Sequence, residues 1–421
     1  MNVSPRTTLV PLLTGTTLIA LSACSPAPKP WRPPVVVALP APPARPPAKK
    51  NADSELRTCT DWSAVRGGPS RRGRSFCPGL RRTPAVRWHL DTGAPVIASP
   101  IVRKKSVYVG STNGRLFALD RRTGKARWSF EAGSPIRAAV ALAENALFLG
   151  TKDGQLRSLD TRTGRVLWAY QMPHGIEHAP AVHKNTVLVG TNDGTLTALD
   201  TRTGFYRWQF VTASAWHPSQ KGGYTLAGIG GTPARAGDTI YFGSLGGHVH
   251  ALAAATGHFR WRIGTGWAVA SSPVVTPKGL WVSDRSGYVH ALSRVNGDRT
   301  GGIRSWYDKD ISAPTLGDRG LFLATRSALL ALRPGGQVRW KHNLGWGATK
   351  LPRTEHPAPV LAGDVVYLND RFGRLLAVDA KTGQLLWQLR ATRGAFSAPA
   401  PIREGLAVGS GDGRVYLLGP R

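Results

Sequence analysis

The phrase LDTRTGRVLW occupies residues 159–168, and forty residues later the chain repeats it almost unchanged as LDTRTGFYRW at 199–208. Related copies lie at 114–128, 247–261 and 373–387. Two more copies have drifted: 287–306 is interpreted as carrying an insertion, and 327–340 as having lost a residue. A period near forty residues is typical of propellers and solenoids, which stack one supersecondary unit on the next.

Each copy contains the signals of two strands and a tight turn. The pattern L-x-A-L alternates with period two and ends at Asp, and after x-x-T-G a second short run ends in Trp. Two further short strands precede each copy, so each unit holds four. The turn aspartates are expected to accept backbone N–H groups, and the glycines to supply a positive φ, so these are interpreted as turn residues: Asp120, Asp160, Asp200 and Asp379.

Seven complete units between about 96 and 389 are followed by three strands at 395–419. The missing strand is predicted at 84–90 (PAVRWHL), which resembles the last strand of the other units. The sequence therefore predicts an all-β, eight-bladed β-propeller of four-stranded antiparallel blades over 84–421, its last blade closed by an N-terminal strand. The recurring tryptophans are expected to fill the wedges between blades: Trp88, Trp128, Trp168, Trp208, Trp261, Trp306, Trp340 and Trp387.

The N-terminal part of the chain carries export signals. Residues 1–23 have one basic residue and a short apolar run, as a signal peptide does, and Leu21-Ser22-Ala23-Cys24 resembles the bacterial lipobox, in which the cysteine is acylated. The alternative is an ordinary cleaved signal with an incidental Cys24. Residues 24–55 are predicted to form an extended tether, since 25–50 contains ten prolines.

Cys59 and Cys77 are the other two cysteines, an even pair in an exported chain. They are predicted to form a disulfide within a lead-in segment at 56–83, and their spacing argues against zinc. No metal site is expected. The motif HGIEH at 174–178 lies in a strand and loop context that removes the geometry of a helical metal pair, and His250 and His290 are interpreted as packing residues.

The chain has 55 Lys and Arg against 24 Asp and Glu, a net charge of +31, which predicts attraction to anionic surfaces. A genomic preference for arginine would produce the same excess. Anionic lipid or an envelope polysaccharide is the available counter-charge, because no nucleic-acid-binding module is present and the export signal removes that class of partner. Basic residues gather in the turns of one face: Arg121, Arg122, Arg162 and Arg202.

Two long connections between units, 211–231 and 343–357, are the candidate partner-binding loops, because insertions on a rigid scaffold commonly carry function. The alternative is that both are tolerated surface insertions. Their aromatic and basic residues are of the types enriched at interfaces. These candidates are Trp216, His217, Lys221, Tyr224, Trp346, Lys350, Arg353 and His356.

The repeat G-x-L-x-A-L-D-x-x-T-G-x-x-x-W resembles the tryptophan-docking repeat of the PQQ-binding-like β-propellers over essentially all of 84–419, and 61–73 resembles their lead-in. That family includes PQQ-dependent alcohol dehydrogenases, ligand sensors and BamB-type lipoproteins of outer-membrane protein assembly. The dehydrogenase branch would imply a vicinal disulfide, a bound Ca²⁺ and an Asp base. This chain has no Cys-Cys pair.

A lipobox, a tether and a single ring together are most similar to the BamB-type lipoproteins. The resemblance implies a non-enzymatic scaffold without a cofactor, lipid-anchored to the outer membrane and facing the periplasm, with an envelope protein such as the β-barrel assembly machinery as partner. Ser25, after the lipidated cysteine, favours the outer membrane. The alternatives are a sensor or enzyme that binds PQQ or another small ligand in the central funnel, and a charge-driven binder of envelope polyanions.

Overall fold

Eight antiparallel sheets of four strands arise from the repeated pattern. The computed structural model describes residues 37–38, 59, 61–68, 70–212, 228–304, 311–334, 336–345, 358–370 and 372–421. In each blade we name the strands a to d, from the axis of the ring to its rim. Neighbouring a strands are in contact around the axis in blades 2 and 3, 4 and 5, 6 and 7, and 8 and 1.

The strand bounds follow the repeat. Blade 1 consists of Ile101–Arg103, Ser106–Gly110, Arg115–Asp120 and Ala126–Glu131. Blade 2 consists of Ala141–Ala143, Ala146–Gly150, Gln155–Asp160 and Val166–Gln171. Blade 3 consists of Ala181–His183, Thr186–Gly190, Thr195–Asp200 and Tyr206–Val211. Blade 4 consists of Ala234–Ala236, Thr239–Ser244, His248–Ala253 and Phe259–Gly264.

The second half of the ring repeats this arrangement. Blade 5 consists of Val274–Thr276, Gly279–Ser283, Tyr288–Leu292 and Arg299–Arg304. Blade 6 consists of Thr315–Gly317, Gly320–Ala324, Ala328–Leu332 and Val338–Asn343. Blade 7 consists of Val360–Ala362, Val365–Asn369, Arg374–Asp379 and Leu385–Arg390. Blade 8 consists of Ala400–Ile402, Gly405–Gly409, Arg414–Gly419 and Ala85–Asp91.

Blade 8 closes the ring with strands from both ends of this region. Ala85–Asp91 is its strand d and pairs antiparallel with Arg414–Gly419. The predicted fold, an eight-bladed all-β propeller closed by an N-terminal strand, is therefore confirmed.

Two short strands extend the sheets. Val37–Ala38 pairs antiparallel with strand d of blade 2, and Arg74–Ser75 pairs parallel with strand a of blade 7. In the described part of the chain the helical structure is one 3-10 turn at Val65–Gly67. No described helix has the length and hydropathy needed to span a bilayer.

The strand d tryptophans join each blade to the next. The indole Nε1 of Trp128 donates to the carbonyl of Thr161 in the following blade at 3.1 Å, and Trp168 donates to Thr201 at 3.0 Å. The same bond links Trp88 to Arg121, Trp261 to Arg294, Trp340 to Ala380 and Trp387 to Leu80. Trp208 packs on Gly257 in the same way, although its Nε1 has no partner among the described residues.

Glycine is required in the turns on which these indole rings pack. Gly124 has a φ of +72°, and a Cβ there would lie 2.6 Å from the ring of Trp88. A side chain at this turn would therefore displace the indole as well as strain the backbone. The preceding Asp120 accepts the N–H groups of Arg122 and Thr123, as predicted for a turn residue.

Blade 5 departs from the pattern. Its strands c and d pair Ala291 with Gly301, so glycine occupies the register position that tryptophan occupies in the other blades. The turn before it is closed by a bond from the N–H of Gly297 to the carbonyl of Ser293, the ordinary spacing of the repeat. The insertion expected in copy 287–306 is therefore wrong. Trp306, the residue assigned to this wedge, lies outside the described residues.

The histidines at the repeat position in strand c are buried, as predicted for packing residues. The ring of His250 stacks on Phe242 with centroids 5.0 Å apart, and burial lowers the pKa of His250 to about 3. His290 Nε2 lies 2.8 Å from Asp284 Oδ2 in a buried pair.

We expect Trp168→Ala to reduce the free energy of unfolding by about 3–5 kcal/mol, because it empties a fully buried wedge and leaves the carbonyl of Thr201 without its donor. Urea unfolding followed by circular dichroism measures the change. Trp267→Ala is the matched control, since Trp267 is 53% exposed and should change stability by less than about 1 kcal/mol. Equal effects of the two variants would contradict the wedge role.

We expect His250 to make the fold less stable in acid. Its pKa is about 3 in the folded state against 6.5 for a free histidine, so the unfolded state binds more protons between these values and stability falls as pH falls below 6.5. Between pH 7.5 and pH 5 the loss from this residue should be about 2 kcal/mol. Unfolding measured at both pH values should show that His250→Phe removes that loss, whereas His258→Asn, at an exposed turn position, retains it.

Candidate functional site

The blade geometry gives the ring two unlike faces. The connection face carries the segments from strand d of one blade to strand a of the next, together with the b–c hairpins. Bonds from Ala132 to Gly114 and from Ile136 to Ser111 join these two kinds of segment. The turn face carries the a–b hairpins and the D-x-x-T-G turns.

The predicted partner-binding loops both leave from the connection face. Within the predicted loops 211–231 and 343–357, residues 213–227 and 346–357 lie outside the described part of the chain. All eight candidate residues lie in these gaps, outside the described part of the chain: Trp216, His217, Lys221, Tyr224, Trp346, Lys350, Arg353 and His356. Their anchors follow strand d of blades 3 and 6.

The described connections are firmly seated. Several of them place a fully buried aliphatic side chain against a glycine of strand b, as Ile136 does with Gly110 and Ile176 with Gly150. Apolar groups are nevertheless exposed nearby, with Ile97 43% and Trp267 53% exposed. The sequence reasoning did not single out Trp267, because its connection has the ordinary length. This face therefore combines a rigid rim with exposed apolar groups.

The connection face also carries polar pairs. Arg137 lies 3.8 Å from Glu177, and His174 lies 3.7 Å from Asp193. Within the described ranges, no three His, Cys, Asp or Glu side chains gather as a metal site requires. Two residues of the HGIEH motif, His174 and Glu177, thus lie near charged side chains of neighbouring segments.

Described residues of the lead-in segment lie against the a strands, the innermost strands of the ring, at the turn face. Cys59 and Cys77 form a disulfide with Cα atoms 4.5 Å apart. Backbone hydrogen bonds join the lead-in segment to the a strands of blades 1, 5, 6 and 7, in the pairs Trp62 with Val102, Ser70 with Val275, Arg72 with Leu316 and Gly73 with Leu361. We call residues 61–75 the plug.

Two arginines of the plug are buried. Arg66 Nη2 donates to the carbonyl of Pro314 at 2.5 Å and to Thr315 Oγ1 at 2.9 Å, and Arg71 Nη1 donates to the carbonyl of Val65 at 2.8 Å. Burial, and next the charge of Arg71, lower the pKa of Arg66 to about 9, and burial lowers that of Arg71 to about 10. Their charges are therefore met by neutral oxygens, those of Pro314 and Thr315 in the ring for Arg66 and that of Val65 in the plug for Arg71.

The turn face is less basic than its sequence suggests. Arg121 lies in a turn of this face but is buried, and its Nε donates to Glu404 at 2.8 Å, so it adds nothing to an exposed basic surface. Arg122, Arg162 and Arg202 are exposed. Arg121 is buried because it lies beside the plug and the a–b hairpin of blade 8. The sequence alone carries no signal of this burial.

The family described as outer membrane protein assembly factor BamB matches residues 80–217, 212–347 and 325–419. Two relatives bearing that name, from Yersinia pestis and Shewanella oneidensis, are each 27% identical, over 174 and 183 residues. These alignments cover 38% and 40% of this chain, and 43% and 44% of the relatives. The chain thus spans less than half the length of either relative.

Among solved structures, BamB from Moraxella catarrhalis superposes with a TM-score of 0.66 at 20% identity, covering 80% of this chain and 99% of that one. A quinohemoprotein alcohol dehydrogenase from Comamonas testosteroni superposes with a TM-score of 0.70 at 17% identity, covering 87% and 81%. Identities this low show a shared fold. The family match, in contrast, runs from the closing strand through all eight blades, so the chain belongs to the family of the outer membrane protein assembly factor BamB.

Proposed function

We propose that this protein is a non-enzymatic scaffold of the bacterial cell envelope, lipid-anchored through Cys24, that serves outer-membrane protein assembly. The observation that carries the proposal is the family match over 80–419, together with relatives named as outer membrane protein assembly factors. The β-barrel assembly machinery is the partner that this name suggests.

The plug supports a scaffold in preference to a quinoprotein. A quinone cofactor in the funnel would need space on the axis, and at the turn face residues 61–75 take that space with backbone bonds to four blades. The disulfide joins residues 18 apart, unlike the vicinal pair implied for the dehydrogenases. Neither the plug nor this disulfide fits a quinone bound at the turn face.

The position of the plug also favours the connection face as the docking surface. On the turn face, the a–b hairpins already contact residues of the plug, as in the bond from the N–H of Lys104 to Asp61 Oδ1. The connection face presents exposed Ile97 and Trp267 and the anchors of both long loops. Apolar and aromatic groups at the centre of an interface commonly dominate its binding energy.

We expect Cys24→Ser to abolish incorporation of labelled palmitate and to move the protein from the membrane fraction to the soluble fraction, because a thioether-linked lipid holds it there. Cys59→Ser/Cys77→Ser is the matched control. It removes the remaining cysteines and should keep the label. Persistent membrane sedimentation of unlabelled Cys24→Ser would contradict lipid anchoring.

We expect deletion of 214–226 and 346–356 together to reduce crosslinked recovery of a β-barrel assembly protein from native envelopes at least tenfold. Both deletions lie between the described anchors, so a circular dichroism melt should match the intact protein. The control is Arg122→Ala/Arg162→Ala/Arg202→Ala on the turn face, which should recover the partner normally.

Undiminished recovery by the double deletion would place the interface elsewhere on the ring. Recovery of no assembly protein by the intact chain would overturn the proposed function. Salt-sensitive retention on heparin that disappears in the triple arginine variant would then identify a polyanion binder.

A further inference from the structure

A cleft of about 380 Å³ opens between blades 5 and 6. Its lining residues include Trp281, Ala291, Gly301, Ile303 and Pro334. The volume falls in the range of small-molecule sites, about 300–1,000 Å³. It lies at the wedge where strand d of blade 5 carries Gly301 in place of a tryptophan.

The cleft matches a filled site elsewhere in the ring. In blade 1 the indole of Trp128 lies 6.0 Å from Tyr108 and donates to the carbonyl of Thr161, 33 residues along the chain. In blade 5 Trp281 pairs with Ala291 as Tyr108 pairs with Ala118. Gly301 takes the place of Trp128. Pro334, 33 residues after Gly301, lines the cleft and corresponds to the residue whose carbonyl accepts the indole N–H.

The described residues partly rebuild the space left by the missing ring but do not close it. A Cβ at Gly336 would meet Ile303 at 2.9 Å, whereas the equivalent Gly164 would meet Trp128 at 2.7 Å. Ile303 therefore covers the turn glycine that an indole covers in other blades. Thr300, Gly301 and Gly302 are exposed, so the entrance carries little side-chain bulk.

We propose that this cleft binds a tryptophan side chain of a partner polypeptide, in the position that the chain's own tryptophans take in the other wedges. The filled sites define the occupant: a flat apolar ring that packs between an aromatic residue and a turn, with one N–H directed at a backbone carbonyl. Tryptophan is also among the residues most enriched at binding hot spots. This site is separate from the connection face and does not rest on the proposed function.

The test uses the full chain and the probe N-acetyl-5-fluorotryptophanamide, followed by ligand ¹⁹F NMR because the protein's own 14 tryptophans obscure fluorescence. We expect saturable binding at one site per chain, at least tenfold weaker for the analogue methylated at the indole nitrogen. Gly301→Trp should abolish binding and raise the melting temperature. Gly301→Phe should abolish binding as well, and provides the second blocking variant.

These substitutions suit the backbone. A Cβ at Gly301 would have Ala291 at 3.9 Å as its near neighbour, and Gly301 is not in the left-handed region. Trp128→Gly is the positive control, since it should open a second cleft and raise the stoichiometry to about two.

Failure of the intact protein to bind the probe would overturn the proposal. Binding of the probe by Gly301→Trp and Gly301→Phe as strong as that of the intact protein would also overturn it. Binding by Trp306→Ala but not by the intact chain would assign the cleft to an internal residue and would overturn it too.

Discussion

The packing of an indole from one blade on a turn glycine of the next is the interaction on which the ring depends. A blade of four strands has two apolar faces and buries neither alone, so stability comes from the wedges between blades. Each of the strand d tryptophans removes a large apolar area from water, and in six of them the N–H satisfies a carbonyl that the wedge would otherwise bury. The glycine is the other half of the contact, because its missing Cβ lets the ring lie on the backbone, as Trp88 lies on Gly124.

Most of the fold was predictable because successive copies of the repeat encode the same contact, a tryptophan of strand d packed on a turn of the next blade. The closing strand could be found from Trp88 alone, since one tryptophan at the right distance from Trp128 marks it as a strand d. The same reliance on tryptophan caused the error in blade 5. Aligning on Trp306 required an insertion, whereas aligning on the turn glycine Gly297 would have placed Gly301 in the wedge, as the strand register does.

The contacts of the plug were less predictable from the sequence than the blades, because they join residues that lie far apart along the chain. The plug meets blades that are more than 200 residues away, as in the bond between Arg66 and Pro314, and no local periodicity encodes such a contact. Charge was misleading for the same reason. Arginine is ordinarily a solvated surface residue. Arg66, Arg71 and Arg121 are nevertheless buried, and each donates to carbonyl or carboxylate oxygens. The long loops were identified by length, a signal that does not depend on packing.

The pairing of Ala85–Asp91 with Arg414–Gly419 also determines when the protein can finish folding. The chain emerges from the ribosome with its N-terminus first, so strand d of blade 8 must wait unpaired until Arg414–Gly419 has been made. Bringing together segments so far apart costs loop entropy and makes this a slow, late step. A chain that stops short of residue 414 loses the partner of its first blade strand and exposes an open sheet edge. Completion of synthesis is thus built into the native state, and unfinished copies carry the edge that quality-control proteases and chaperones recognise.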